Sequence, residues 1–143
     1  MTPTVPELLM GNFLAMMDPP PVESAGDYMQ ARIGVTGMIS LLCAQEAERG
    51  IEARGWENTA IRALLAGAAG RYGDGFAEAA AGVDADLSLA AMDRANAALR
   101  TALIDLHIAV ETARDAALDT EIRALYVKMA DARRLDLPPM PAS

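Results

Sequence analysis

A chain of 143 residues can bury a core of its own without disulfides or metal, and this length fits one domain. Its 20 acidic and 12 basic residues leave a net charge of −8, and the basic residues, all arginine except Lys128, are scattered. That distribution lacks the basic stripe that meets phosphates, which argues against nucleic acid and anionic membrane as partners.

Alanine makes up about a fifth of the chain, aromatic residues are scarce and β-branched residues never cluster. This composition favours helix over strand. The expected fold is all-α: a four-helix bundle-like domain over residues 22–137, with a short N-terminal helical arm at 1–21 and a proline-ended tail at 138–143. The one cysteine, Cys43, excludes an internal disulfide framework and suits a reducing cytoplasm. Its apolar surroundings predict a buried small hydrophobe.

The first element is "ELLMGNFLAMMDPPP", residues 7–21. No basic residue precedes it, as a secretory signal would require, and it is too short to span a bilayer. Thr4 and Glu7 have capping-box spacing, and Asp18-Pro19-Pro20-Pro21 stops the helix. Leu9, Phe13, Met16 and Met17 share a face, which predicts an arm docked on its own bundle or on a second copy of the chain.

Ser24 and Asp27 signal a second start. The helix that follows carries no charge between Arg32 and Glu46, over "IGVTGMISLLCAQ". Such all-round apolarity predicts a buried, central helix over 24–50, with Gly34 and Gly37 admitting a close neighbour and Gly50 as its end. A second helix is expected over 55–72. Its stripe is Trp56, Ala60, Leu64, Ala68 and Tyr72, widened by Ile61 and Leu65. Gly70, Gly73 and Gly75 end it, and one helical turn is expected near 76–81.

The third helix, 85–113, starts near Asp84 or Asp86. It repeats Leu89, Met92, Asn96, Leu99, Leu103, Leu106 and Val110 at bundle spacing, with Asn96 a polar interruption. A break at Arg114–Asp119 leads to a fourth helix, 118–135, that buries Leu118, Ile122, Leu125 and Met129. Asp119 and Arg123 form an i,i+4 pair in it.

Catalytic signatures are sparse. His107 and Glu111 sit one turn apart, but two ligands are too few for a metal unless Glu46 or Asp105 joins them; no metal or other cofactor is assigned. "GRYGDG" lacks the strand and the Gly-Lys-Ser/Thr of a phosphate loop. The most distinctive polar group is Gln45, Glu46 and Arg49 with Glu57, Asn58 and Arg62. A hairpin at Gly50 would bring the two sets together, with Arg32, Arg49 or Arg62 holding Glu46. Arg32, Glu46, Arg49, Glu57 and Arg62 are therefore the candidate ligand-binding residues.

"QARIGV", "LLCAQEAERGIEARGWENTAIRALL", "ANAALRTAL" and "EIRALYVKMADARRLDLP" together resemble a small all-helical bacterial family of uncharacterised function. Its members tend to be encoded beside acyl-CoA dehydrogenases and aminoglycoside-phosphotransferase-like kinases. The likeness covers residues 28–138 and rests on Arg32, Glu46, Gly50, Glu57, Leu64-Leu65, Asn96 and Leu99. Leu137-Pro138-Pro139 replaces the Asn-Pro with which the family tends to end, and the apolar arm is unlike it. The resemblance implies an accessory role near acyl-CoA metabolism and supplies no catalytic residues. Two functions follow: a cytoplasmic interaction module that forms a homodimer or binds a protein partner, or a bundle that binds or transforms a small apolar ligand around Glu46.

Overall fold

The computed structural model describes residues 3–5, 7–9, 12 and 25–136. These residues are all-α and contain no strand. Helix α1 spans Ala25–Tyr72, α2 Asp74–Ala80, α3 Leu89–Ala113 and α4 Ala116–Ala132. None of the described helices is long and apolar enough to cross a membrane. The chain forms two compact units, Ile51–Asp136 and Met1–Gly50 with Leu137–Ser143.

The Ile51–Asp136 unit holds the core. Ile61, Leu65 and Ala68 from α1 pack in one cluster with Leu99, Leu103, Leu106 and Val110 from α3 and Leu118, Ile122, Leu125 and Met129 from α4. The α3 and α4 residues are those their spacing predicts. On α1 the buried line is set by Glu57, Asn58, Ile61, Leu65, Ala68 and Ala69, while Trp56 is exposed and Ala60, Leu64 and Tyr72 are half-buried. The predicted stripe is therefore rotated by about one residue, because the polar pair Glu57-Asn58 lies on the buried side.

Each turn has a local cause. Gly73 ends α1 at φ 122°, a conformation that a side chain disfavours, and its N–H donates to the Ala69 carbonyl at 2.9 Å. Ser88 caps α3, accepting the Ala91 N–H at 3.3 Å, so this helix begins later than Asp84 and Asp86 suggest. The α3–α4 turn falls within the predicted break. Arg114 takes the left-handed conformation, and Asp115 accepts the Leu118 N–H at 3.2 Å, placing the cap before Asp119.

The break expected at Gly50 does not occur: α1 runs through it. A single internal glycine costs only about 1 kcal/mol relative to alanine. Ala47-Glu48-Arg49 and Glu52-Ala53-Arg54 on either side are strong helix formers, and no proline follows. Hence no hairpin forms there.

In the other unit, the described side chains of residues 26–49 are all exposed or half-buried. Ile33, Val35 and Met38 are 68%, 52% and 42% exposed. A Cβ at Gly34 or Gly37 would meet nothing within 4 Å, so among the described residues no helix crosses there. The expectation of a buried central helix is thus overturned: the described side chains of this apolar stretch are exposed or only half-buried. Cys43 is likewise half-buried rather than buried. At the N-terminus, Val5, Glu7, Leu8, Leu9 and Asn12 are helical, and Glu7 accepts the Thr4 N–H at 2.7 Å, as its capping-box spacing predicts. Val5, Leu8 and Asn12 form the half-buried face, whereas Leu9 is exposed. Leu9 is therefore not the docking residue the sequence suggests. Phe13, Met16 and Met17 lie outside the described residues.

Candidate functional site

The strongest polar constellation is inside the Ile51–Asp136 unit. Glu57 and Asn58 on α1 and Asn96 on α3 are all buried. A carboxylate in such a place is stable only when paired and hydrogen-bonded. Arg133, at the end of α4, supplies the pair: its Nε and Nη2 donate to the two Glu57 oxygens at 2.6 and 2.9 Å. The Asn96 amide donates to Glu57 at 2.9 Å and to the Asn58 carbonyl oxygen at 3.0 Å, while its own oxygen accepts from Arg133 at 3.2 Å. Arg100 lies 3.7 Å from Glu57.

The network continues into the loop before α3. Asn58 donates to Asp84 at 3.0 Å, and Arg62 grips the same carboxylate with two parallel bonds of 2.8 and 2.7 Å. Arg62 holds the Asp84 carboxyl below the usual carboxylate range, against the opposing effect of burial, with Asn58 adding to the lowering. One turn N-terminal to Asn58, the buried Arg54 pairs with Asp93 on α3. The predicted residues Glu57 and Arg62 are thus linked through Asn96, Asn58 and Asp84, and the structure adds Arg100 and Arg133, with the Arg54–Asp93 pair as a separate tie between α1 and α3. Glu57, Asp84 and Asp93 each already accept from a guanidinium. This arrangement locks three helices and a loop in register more readily than it poises a base.

Arg32, Glu46 and Arg49 belong to the unit that contains residues 1–50. Arg62, one expected partner of Glu46, is committed to Asp84 instead. Arg49 donates to Gln45 at 2.7 Å, one helical turn away. The Arg32 guanidinium lies over the Tyr28 ring, 5.7 Å from its centroid, and its Nη2 is buried without a hydrogen bond.

Two further groups flank the α3–α4 turn. Asp115 accepts from Arg71 at 2.6 Å and from the Tyr72 hydroxyl at 3.0 Å. Its cap bond to Leu118 and its Tyr72 and Arg71 partners keep its carboxyl below the usual range. His107 Nε2 sits 2.8 Å from Asp119 Oδ1 and 3.6 Å from Glu111 Oε1. Arg123 donates to Asp119 at 2.8 Å and to Glu111 at 3.1 Å, and Asp119 is shifted below the usual range by Arg123 and His107. The third potential ligand, and the second acid beside His107, is thus Asp119, not Glu46 or Asp105.

An open groove of about 380 Å³ is lined by Ala60, Ala63, Leu64, Gly67, Arg71, Leu118, Glu121 and Leu125. Neither Glu46 nor Arg49 borders it.

Fold and site define an all-α protein whose core is registered by a buried Glu–Asn–Arg network. Comparison with protein-family models, curated proteins and solved structures returned no match to this chain.

Proposed function

We infer that this protein is a helical interaction module that self-associates as a homodimer or docks on a protein partner. Its Ile51–Asp136 unit would be the folded body and the apolar stretch of α1 its contact surface. The observation that carries this reading is the run from Ile33 to Gln45. It has no charge in a chain of net charge −8, yet Ile33, Val35 and Met38 stand in solvent. Large apolar side chains exposed along a charge-free run support a contact role, as exposed apolar patches do. The likeness to bacterial helical proteins encoded beside acyl-CoA dehydrogenases points to an accessory role near acyl-CoA metabolism, and the single cysteine fits a cytoplasmic setting.

Sedimentation equilibrium of the full chain tests the reading. Ile33→Glu and Met38→Glu should shift the mass from dimer toward monomer. Val83→Glu, at an isolated loop residue that is more exposed than either, should leave the mass unchanged. A chain that is monomeric throughout, and that captures no partner sensitive to the same substitutions, would remove the proposal.

A second reading, a bundle that binds a small apolar ligand, draws support from the groove of about 380 Å³, within the size range of ligand pockets. Saturable binding of a fluorescent fatty acid, abolished by Gly67→Leu, would favour it over the first.

A further inference from the structure

His107 and Glu111 are one helical turn apart on α3, so both side chains leave the same face. Two donors make a poor metal site. The turn changes the count. Arg114 and Asp115 reverse the chain, α4 packs along α3, and Asp119 arrives beside His107. One nitrogen and two carboxylate oxygens then lie within 4.8 Å of one another. Zinc-class ligands sit about 2.0–2.2 Å from the ion, so tetrahedral donors lie roughly 3.4 Å apart. The separations of His107 Nε2 from its two carboxylate neighbours, 2.8 and 3.6 Å, straddle that value.

The imidazole is also pre-positioned. Its ring packs against Tyr126 at 5.5 Å with a 55° tilt, and the side chain is mostly buried, while Glu111 is exposed on the solvent side. At present the two carboxylates share the single positive charge of Arg123. That guanidinium is more than half exposed, and ion pairs of this kind contribute little. A divalent ion would match both carboxylates, which one guanidinium does not.

We propose that His107, Glu111 and Asp119 bind a divalent transition cation of the zinc class, with Arg123 as the cation it displaces. The mixed imidazole and carboxylate set selects this class over magnesium or calcium, which take oxygen ligands. Three protein ligands leave the fourth position to water. The bound ion would staple the end of α3 to the start of α4.

The test uses the full chain, with cobalt(II) followed by its visible absorption and zinc(II) by competition. His107→Ala and Asp119→Asn should each weaken binding by at least roughly tenfold, judged against the 10–100-fold losses seen for even outer-shell changes. Glu121→Gln, at an exposed acid on the same helix, should leave it unchanged. Arg123→Ala should strengthen binding, a gain that misfolding does not mimic. Absence of cobalt and zinc binding overturns the site. So does binding that is indifferent to His107 and Asp119, or that weakens when Arg123 is removed.

Discussion

The two halves of α1 are built from similar residues and behave in opposite ways. From Ile51 onward the helix buries Ile61, Leu65 and Ala68 against α3 and α4 and spends Arg54, Glu57, Asn58 and Arg62 on defined partners. Its earlier half contains the charge-free run from Ile33 to Gln45, yet none of its described side chains between residues 26 and 49 is buried. Apolarity alone therefore does not place a helix in a core. What places it there is a second apolar face at the right distance, and polar groups that can be satisfied only in that one arrangement.

The contrast should break most visibly at Glu57. Glu57→Ala takes the carboxylate away from the half-buried Arg133 and the buried Asn96, leaving the guanidinium with only the Asn96 oxygen, and removing one partner of a buried pair costs about 3–5 kcal/mol. Urea denaturation should show a loss of that size. A change within experimental error would mean that the network follows from the packing rather than fixing it.

A matched pair of apolar truncations sharpens the comparison further. Leu106→Ala removes a fully buried side chain and should cost about 2–5 kcal/mol. Ile33→Ala, in the exposed stretch, should lie within about 0.5 kcal/mol when measured on the monomer. If its cost instead rises with protein concentration, the stretch is buried between copies, as the proposed function requires.

Acid should act on the body through Asp84. Its carboxyl is depressed by Arg62, so the folded state binds its proton less readily than the unfolded chain does. The stability it contributes is present above the unfolded carboxylate range, near pH 4, and is lost as pH falls through its lower folded pKa. Thermal melts of Asp84→Asn should lie below the wild type at neutral pH, and the two curves should converge in acid. Parallel curves would show that Asp84 acts through packing rather than charge. The effect should be smaller than at Glu57, because both Arg62 and Asp84 keep some contact with water.

Much of the body was legible before any coordinates. On α3 and α4 the spacing of three and four picked out the buried residues, because both helices bury one face within their own chain. Asn96 stood out as a polar residue in an apolar seam, and Glu57, Asn58 and Arg62 were singled out by clustering. Their partners were not legible. Arg133 is 76 residues from Glu57, and Asp84 read as a helix start because its local setting resembles one. Local pattern has no access to a contact of that range.

By itself, then, the sequence determined the helical class, the turn at Gly73, the break near Asp115 and the buried lines of α3 and α4. All of these follow from short-range backbone preferences and from periodicity. Only the tertiary structure decided that Gly50 continues a helix and that Arg62 goes to Asp84 rather than Glu46. It also decided that Asp119 completes a triad with His107 and Glu111, and that the charge-free stretch of α1 is exposed or half-buried among its described residues. Each of these depends on which surfaces meet. A helix stripe states that burial is favourable, but the burial itself needs a second surface that the stripe does not specify.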